Sequence, residues 1–234
     1  MNEERKILNE FHSKEKKKYN ELKKELPSNK FSYYLKKLID KGYIEKKDEF
    51  YKITFSGECY LLYLDQKNDS LSLKQPIIDV FLIGVKGNKI LFQERGKMPF
   101  KGIAMPIGSR VREGKSLFET AENIFYRDTG LKGRIAYKGI IDVKSMKEGN
   151  LFVHHILHVF KIDKIKGKLK EKTSKGLNYW LSEKDYLKKK NIFKAAKEQL
   201  AFAKSKGPLF LELIQYIDQN GKFIGNKIIR NDKL

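Results

Sequence analysis

The apolar positions in the first 66 residues change from helical spacing to alternation and back. Apolar residues three and four apart predict helices over residues 3–14, 18–26 and 29–43. Gly42 stops the third helix, and Ser28 or Asn29 can cap its start, because either side chain can accept from exposed backbone N–H groups. Residues 43–46 and 50–54 are predicted as two short strands around a charged turn, followed by a helix over residues 55–64.

From Ile77 onward the apolar positions predict a sheet. The stretch IIDVFLIGVKGNKILFQERG is predicted to form two strands joined by a Gly-Asn turn, and the following segment, residues 98–109, is expected to be a loop. A helix over residues 117–128 is ended by Gly130, and residues 177–187 are predicted as a strand that turns into a helix. With Ile-, Val- and Phe-rich strands at residues 133–143 and 151–163, these elements predict a mixed sheet flanked by helices.

A polar segment, residues 65–76, is the clearest linker. It separates a predicted first domain, residues 1–66, from a second domain, residues 76–190. Residues 191–234 are predicted as a helical tail of two helices broken at Gly207 and Pro208, which closes the core or forms a dimer interface. The predicted fold class is α+β or α/β, with a three-helix bundle and β-hairpin before the mixed sheet.

Charge narrows the range of partners. The chain of 234 residues holds 50 Lys and Arg against 29 Asp and Glu, a net charge of +21, which suggests a polyanionic partner. Residues 1–70 carry a net charge of only +3, so the remaining +18 lies in the second part. Either that part also contacts nucleic acid or its lysines form a solvated surface, and runs such as KIDKIKGKLKEK favour the second alternative.

The composition also indicates the compartment. Cys59 is the only cysteine, which excludes an intramolecular disulfide and fits a reducing environment. The charged start, MNEERKILNE, does not resemble a secretory signal, and no apolar run reaches the length of about 20 residues that a membrane helix needs. We therefore expect a cytoplasmic protein with no membrane partner.

The first domain resembles a winged helix-turn-helix domain. The order of three helices, a hairpin and a fourth helix carries the resemblance, together with the run FSYYLKKLIDKGYIEK and the later YKITFSG. It implies double-stranded DNA as the partner, with the third helix in the major groove and the hairpin near phosphates. The residues expected to contact DNA are Asn29, Lys30, Ser32, Tyr33, Lys36, Lys37, Lys46 and Lys47. A winged helix used for protein contacts is the alternative.

The second domain resembles the Nudix family. MPIGS, EGKSLFETA and DTGL match parts of that family's loop-helix-loop motif, in which glutamates on one helix face hold Mg²⁺ or Mn²⁺. Alignment on Gly130 puts Ile124, Arg127 and Asp128 at the glutamate positions, and alignment on Gly108 puts Asn123, Tyr126 and Arg127 there. Neither alignment rebuilds the acidic face, so we expect no metal, no cofactor and no catalysis.

Cations are expected to line the same cleft instead. Arg95, Lys101, Arg110, Lys115 and Arg127 are the predicted ligand-binding residues, since cations can hold a phosphate directly. An ion pair between Arg127 and Asp128 is the alternative for Arg127. His154, His155 and His158 alternate along a predicted strand and do not converge, which argues against a metal site there.

Together these features resemble the Nudix-related regulators of NAD metabolism, with the order of domains reversed. The leading hypothesis is a homodimeric transcriptional regulator whose degenerate Nudix-like domain senses a phosphorylated effector such as ADP-ribose or a related nucleotide. A divergent Nudix hydrolase of nucleoside diphosphate derivatives is the second hypothesis. A scaffold or interaction protein with neither effector nor catalysis is the third.

Overall fold

The computed structural model describes residues 3–63, 75–97 and 100–234. They form two compact units, of which the first comprises the described residues up to Gln75 together with Lys97, and the second comprises Pro76–Gly96 and Phe100–Leu234. Most of the predicted linker, residues 65–76, lies outside the described residues. None of the helices in these ranges is long and apolar enough to cross a membrane.

The first unit contains four α-helices and three strands. In chain order these are α1 (Glu3–Asn9), β1 (Lys16–Lys18), α2 (Tyr19–Lys23), α3 (Ser28–Asp40), β2 (Ile44–Lys47), β3 (Phe50–Ile53) and α4 (Phe55–Tyr63), with a short 3-10 helix at Glu10–His12. Helical and strand residues share one core, formed by Ile7, Leu8, Phe11, Leu22, Phe31, Leu35, Leu38, Ile44, Tyr51 and Ile53. The predicted order of three helices, a hairpin and a fourth helix is therefore present.

Two details of the first unit differ from the sequence-based expectation. β1 was not predicted, because three consecutive lysines carry no apolar alternation. It pairs antiparallel with β3 in a sheet of order β1-β3-β2, and Lys17 turns inward, with its Nζ 3.5 Å from a carboxylate oxygen of Glu10. The predicted cap of α3 is wrong, since Pro27 precedes the helix without a side-chain cap and the Asn29 side chain accepts from the N–H of Lys30 instead.

The second unit is built on one ten-stranded mixed sheet. Its elements are β4 (Ile77–Lys86), β5 (Lys89–Arg95), β6 (Ala104–Met105), β7 (Ile107–Arg110), α5 (Leu117–Thr129), β8 (Leu131–Lys147), β9 (Asn150–Gly167), β10 (Lys172–Thr173), β11 (Gly176–Ser182), α6 (Glu183–Leu187), α7 (Ala196–Lys204), β12 (Leu209–Ile217) and β13 (Phe223–Lys233). The strand order is β10-β11-β5-β4-β9-β8-β12-β13, with β6 paired to β5 and β7 paired to β4. The segment predicted as a loop, residues 98–109, thus contains β6 and part of β7. β4 and β5 pair with each other only near the turn that joins them, and beyond it β7 pairs with β4 and β6 pairs with β5.

The sheet has an apolar cluster on each face. One cluster joins α5, through Ala121, Ile124 and Phe125, to Val80, Leu82 and neighbouring residues of the sheet. The other joins α6 and α7 to residues that include Phe81, Phe92, Val159 and Leu211. The predicted helix, the strand-to-helix segment and the long strands of residues 133–143 and 151–163 are confirmed.

The predicted helical tail is wrong beyond residue 207. Only α7 is helical, and the residues after Pro208 form β12 and β13. Leu211, Leu213, Gln215 and Ile217 are buried while the residues between them are partly or largely exposed, which is the period of two that a strand requires. β12 joins the sheet by pairing parallel with β8, so these residues belong to the second unit.

Candidate functional site

One face of α3 is buried and the opposite face is exposed. Phe31, Leu35 and Leu38 close the core of the first unit. The exposed side chains on α3 include the predicted DNA contacts Asn29, Lys30, Ser32, Tyr33 and Lys36, and Tyr33 keeps 63% of its surface accessible. On β2, Lys46 and Lys47 are exposed as well. The helix thus offers amide, hydroxyl and ammonium groups on its exposed face.

Two of the predicted DNA contacts have partners within the first unit. The Nζ of Lys37 lies 2.7 Å from one carboxylate oxygen of the buried Glu4, and the Nζ of Lys41 lies 2.7 Å from the other. Burial raises the pKa of Glu4, but the hydrogen bonds and charges of the two lysines outweigh it and leave the pKa below its ordinary value. Ser32 Oγ lies 2.8 Å from Tyr19 Oη. Lys37 and Ser32 therefore contribute to packing.

In the second unit, α5 is defined by its two ends. The Ser116 side chain accepts from the N–H of Glu119 at the start, and Gly130 ends the helix at a φ of 74°. In the last turn, Asp128 is buried while Arg127 is exposed. The Arg127 guanidinium donates to both carboxylate oxygens of Asp128, at 2.6 and 2.9 Å.

A second cation reaches Asp128 from a distant part of the chain. The Nζ of Lys175 lies 3.1 Å from the Asp128 carboxylate and 3.5 Å from Ser109 Oγ. Burial lowers the pKa of Lys175, an effect that Asp128 opposes and the nearby charges of Arg127 and Arg95 reinforce. For Asp128, burial raises the pKa, but the hydrogen bond from Arg127 and the charge of Lys175 outweigh it and lower the pKa overall. Lys175 is not among the predicted ligand-binding residues, because no local pattern in the sequence distinguishes it from the other lysines.

Backbone pairing places Lys175 beside Arg95. Gly176 pairs with Arg95 across β11 and β5, and the N–H of Gly96 donates to the Lys175 carbonyl at 2.7 Å. A Cβ on Gly176 would collide with the Glu94 carbonyl, so this close approach requires glycine. Burial lowers the pKa of Arg95, opposed by the charge of Asp79. Arg127 and Lys175 contact the buried carboxylate of Asp128, and the charge of Arg95 acts on Lys175. We call Arg95, Arg127 and Lys175 the cation cluster.

Comparison with known proteins supports the fold. No protein-family model and no curated protein sequence matches the chain. Among solved structures, the MutT protein from Bacillus halodurans superposes with a TM-score of 0.52 at 18% identity, over 65% of this chain and 97% of that one. The second unit thus has a Nudix-like fold, and we call it the Nudix-like domain for that reason.

Two further structures are similar at lower scores. A MutT NUDIX hydrolase from Burkholderia pseudomallei gives a TM-score of 0.47 at 15% identity, over 54% of this chain and 97% of that one. The NUDIX domain of Shewanella oneidensis NrtR, solved as a complex with ADP ribose, gives a TM-score of 0.47 at 17% identity, over 62% of this chain and 94% of that one.

The predicted ligand residues of the Nudix-like domain are not all in one place. Arg95 and Arg127 belong to the cation cluster. Lys101 is next in sequence to Gly102, whose N–H donates to the Arg95 carbonyl at 2.7 Å. Lys115 pairs with Glu119 at 2.7 Å, at the opposite end of α5. The helix separates it from Arg127 by about 18 Å along its axis, at about 1.5 Å per residue. Lys115 is therefore not part of the cation cluster.

The remaining candidates have separate partners. Arg110 is exposed and faces Asp79 across β7 and β4. His154 contacts Asp142 at 2.8 Å, and His155 contacts Asp79 at 2.5 Å. His158 lies 3.3 Å from the Tyr137 hydroxyl. Among the residues that the structure describes, no three His, Cys, Asp or Glu side chains come together as a metal site would require.

Proposed function

We propose that the chain is a DNA-binding transcriptional regulator whose Nudix-like domain senses a phosphorylated, nucleotide-type ligand without hydrolysing it. The observation that carries the proposal is the exposed face of α3, where Asn29, Lys30, Tyr33 and Lys36 project from a helix whose other face is fixed in the core. A rigid helix with a polar outer face can enter the major groove, where amide and hydroxyl groups meet base edges and lysines meet phosphates.

The ligand part of the proposal rests on the cation cluster. Arg127 and Lys175 share one buried carboxylate, and the charge of Arg95 acts on Lys175 as well, so the local charge favours an additional anion. Arginine can hold a phosphate through two parallel hydrogen bonds, and Ser109 adds a hydroxyl beside Lys175. ADP-ribose and related nucleotides carry such phosphates and are the first ligands to test.

The DNA-binding part can be tested with paired substitutions. Random-sequence selection first identifies a duplex that the full chain binds. Lys30→Ala combined with Lys36→Ala is expected to weaken binding and to flatten the dependence of log affinity on log salt by about 2, because each lost phosphate contact removes about 0.9 from the slope. Lys184→Ala combined with Lys188→Ala removes the same charge from exposed positions of the second unit and serves as the control. Equal behaviour of the two double variants would reject α3 as the DNA-contacting element.

A divergent hydrolase of nucleoside diphosphate derivatives is the second candidate. One observation favours it, since Asp128 keeps an acidic side chain in the helix that corresponds to the Nudix motif. That carboxylate is already engaged by Arg127 and Lys175, and a Mg²⁺ ion prefers several oxygen ligands without a competing cation. We therefore rank the sensor above the enzyme.

A further inference from the structure

We propose that the Nudix-like domain carries a second surface for nucleic acid, which binds the phosphate backbone without reading sequence. This surface consists of Lys132 and Lys170, which lie over the exposed ring of Tyr126, together with Lys166 and Lys168, and we call it the lysine patch. It deepens the DNA binding proposed above by adding a contact on the other unit. It also assigns a polyanionic partner to part of the net charge of +18 in residues 71–234.

Tyr126 holds two of the lysines at one place. The tyrosine lies on α5 with 52% of its surface exposed. The Nζ of Lys132 lies 5.0 Å from the centre of its ring, and the Nζ of Lys170 lies 5.7 Å from it. Such cation–π contacts restrict long, flexible side chains, so two ammonium groups are positioned together before any partner binds.

Strand pairing places a third lysine, Lys166, beside Lys132 although the two ammonium groups repel each other. Lys132 on β8 and Lys166 on β9 are direct cross-strand neighbours. Like charges placed opposite each other destabilise a sheet. Packing therefore does not explain this pair, whereas a polyanion lying across both ammonium groups would turn the repulsion into attraction.

The backbone fixes the segment that carries Lys168 and Lys170 over the end of α5. The N–H of Lys170 donates to the Thr129 carbonyl at 2.8 Å. A Cβ on Gly130 would lie 2.7 Å from the Lys168 carbonyl oxygen, and the φ of 74° at this position also favours glycine. The lysines thus extend from a fixed part of the backbone.

The lysine patch has little internal neutralisation. Within the described ranges, none of its four ammonium groups lies within 4 Å of a carboxylate. The nearby acid Asp163 is held by Arg134 at 2.7 Å, and the other acids close in sequence, Glu122 and Glu171, are exposed. Attraction to the negative end of α5 explains only Lys170, whose Nζ lies 3.4 Å from the Arg127 carbonyl oxygen.

A four-lysine substitution tests the patch in the full chain. Lys132, Lys166, Lys168 and Lys170 are replaced by Ala, and binding to a random-sequence duplex is measured by fluorescence anisotropy over a range of NaCl concentrations. The matched control replaces Lys184, Lys188, Lys190 and Lys194, which are exposed in the same unit. The patch variant is expected to lower the salt slope by about 3 to 4, at about 0.9 per lost contact, and the control by less than 1.

Substitutions at Tyr126 test the positioning role of the ring. Tyr126→Phe keeps the aromatic face and is expected to bind like the native chain, while Tyr126→Ala is expected to weaken duplex binding by about twofold to fivefold, the fold-change that corresponds to an exposed cation–π contact. Near-ultraviolet circular dichroism confirms that both variants remain folded. Equal affinity of Tyr126→Ala and Tyr126→Phe would overturn the role given to Tyr126.

The α3 double variant separates this proposal from the proposed function. If only Lys30→Ala with Lys36→Ala weakens binding, the lysine patch is rejected and α3 is retained. If only the patch variant weakens binding, α3 is rejected as the DNA-contacting element and the lysine patch is retained. Patch-dependent binding to phosphatidylserine vesicles, with duplex binding equal in the patch and control variants, would identify an anionic membrane as the partner and overturn the proposal.

Discussion

The Nζ of Lys175 lies 3.1 Å from the carboxylate of Asp128, and this contact joins a β-turn to the last turn of α5. In the alignment on Gly130, though not in the alignment on Gly108, Asp128 falls at a position where the Nudix motif has a metal-holding glutamate. Lys175 and Arg127 supply it with positive charge from within the chain. The carboxylate is therefore stabilised by internal cations, and one of them, Lys175, is close enough to Arg95 for the charge of Arg95 to lower its pKa.

Replacing Asp128 tests this internal neutralisation. Asp128→Asn leaves Lys175 without its charge partner and is expected to lower the free energy of unfolding of the second unit by about 1–3 kcal/mol. Trp180, the only tryptophan, packs in the same apolar cluster as α5, so its fluorescence reports on the transition in urea. Glu122→Gln, at an exposed position of the same helix, is the control and should stay within about 0.5 kcal/mol of the native chain.

The loss of stability caused by Asp128→Asn should become smaller as the pH falls. The pKa of Asp128 in the folded chain lies below its ordinary value of 3.8, so its stabilising contribution is present above that value and is lost as the pH falls through the lowered pKa. The difference between the native chain and Asp128→Asn should therefore be constant near neutral pH and shrink below about pH 4. A difference that persists unchanged into strong acid would contradict the ion-pair account.

Turnover assays test the proposal that the chain does not hydrolyse nucleotide-type ligands. ADP-ribose, dinucleoside polyphosphates and NADH are incubated with the chain and Mg²⁺ or Mn²⁺, and no metal-dependent product above background is expected, because Asp128 is engaged by two cations. The same preparation of Asp128→Asn measures contamination by other enzymes. Turnover that is present in the native chain and missing in Asp128→Asn would establish the hydrolase instead.

Local signals in the sequence were sufficient for α5 but not for the cation cluster. Ser116 caps the helix, Gly130 ends it and the apolar spacing orients it, so each feature lies within one turn of the element it defines. Lys175 reaches Asp128 only because β11 pairs with β5, an association between residues about 80 positions apart in sequence. The local sequence around a lysine in a lysine-rich segment does not predict such a contact.

The tail shows where a local pattern is ambiguous. LFLELIQYI is apolar enough for a buried helix, and Pro208 before it predicts a break between two helices. The segment is instead a strand, because β8 offers an edge that pairs with it over nine residues. Short apolar runs do not distinguish the two structures, and the partner strand decides between them.

Lys36 and Lys37 are adjacent but should respond differently to substitution. Lys37→Ala removes one of two cations from the buried Glu4 and is expected to lower the melting temperature of the first unit. Lys36→Ala should leave the melting temperature unchanged and reduce the salt slope of DNA binding by about 0.9. Circular dichroism and fluorescence anisotropy measure the two effects. The assignment fails if Lys37→Ala preserves the melting temperature and reduces the salt slope as Lys36→Ala does.

The edge of the large sheet is the expected interface of a homodimer. β13 ends the strand order, and Ile228 and Ile229 on it are 40% and 47% exposed. An exposed edge strand can pair with its copy about a twofold axis.

Analytical ultracentrifugation should give twice the chain mass of 27.4 kDa, and Ile228→Lys with Ile229→Lys should reduce it to the monomer. Leu177→Lys, at an exposed position on the internal strand β11, should not change the mass. A native chain that stays monomeric at micromolar concentration rejects the dimer.

Charge reversal at Arg127 tests the anion site and its link to DNA. In calorimetric titrations with EDTA present, ADP-ribose or a related nucleotide is expected to bind the native chain, and Arg127→Glu should weaken binding by roughly tenfold or more, because it replaces a phosphate donor by a repelling carboxylate. Arg134→Glu makes the same change in charge at a residue paired with Asp163, outside the cation cluster, and is expected to retain affinity.

A ligand that acts as an effector must also change DNA affinity, because it has to bind one DNA-binding state better than the other. A saturating concentration is expected to shift duplex affinity by about 5- to 150-fold in either direction, and Arg127→Glu should abolish the shift at the same ligand concentration. Ligand binding that survives Arg127→Glu would place the anion elsewhere in the chain. Binding that depends on Arg127 but leaves DNA affinity unchanged would retain the site and reject its regulatory role.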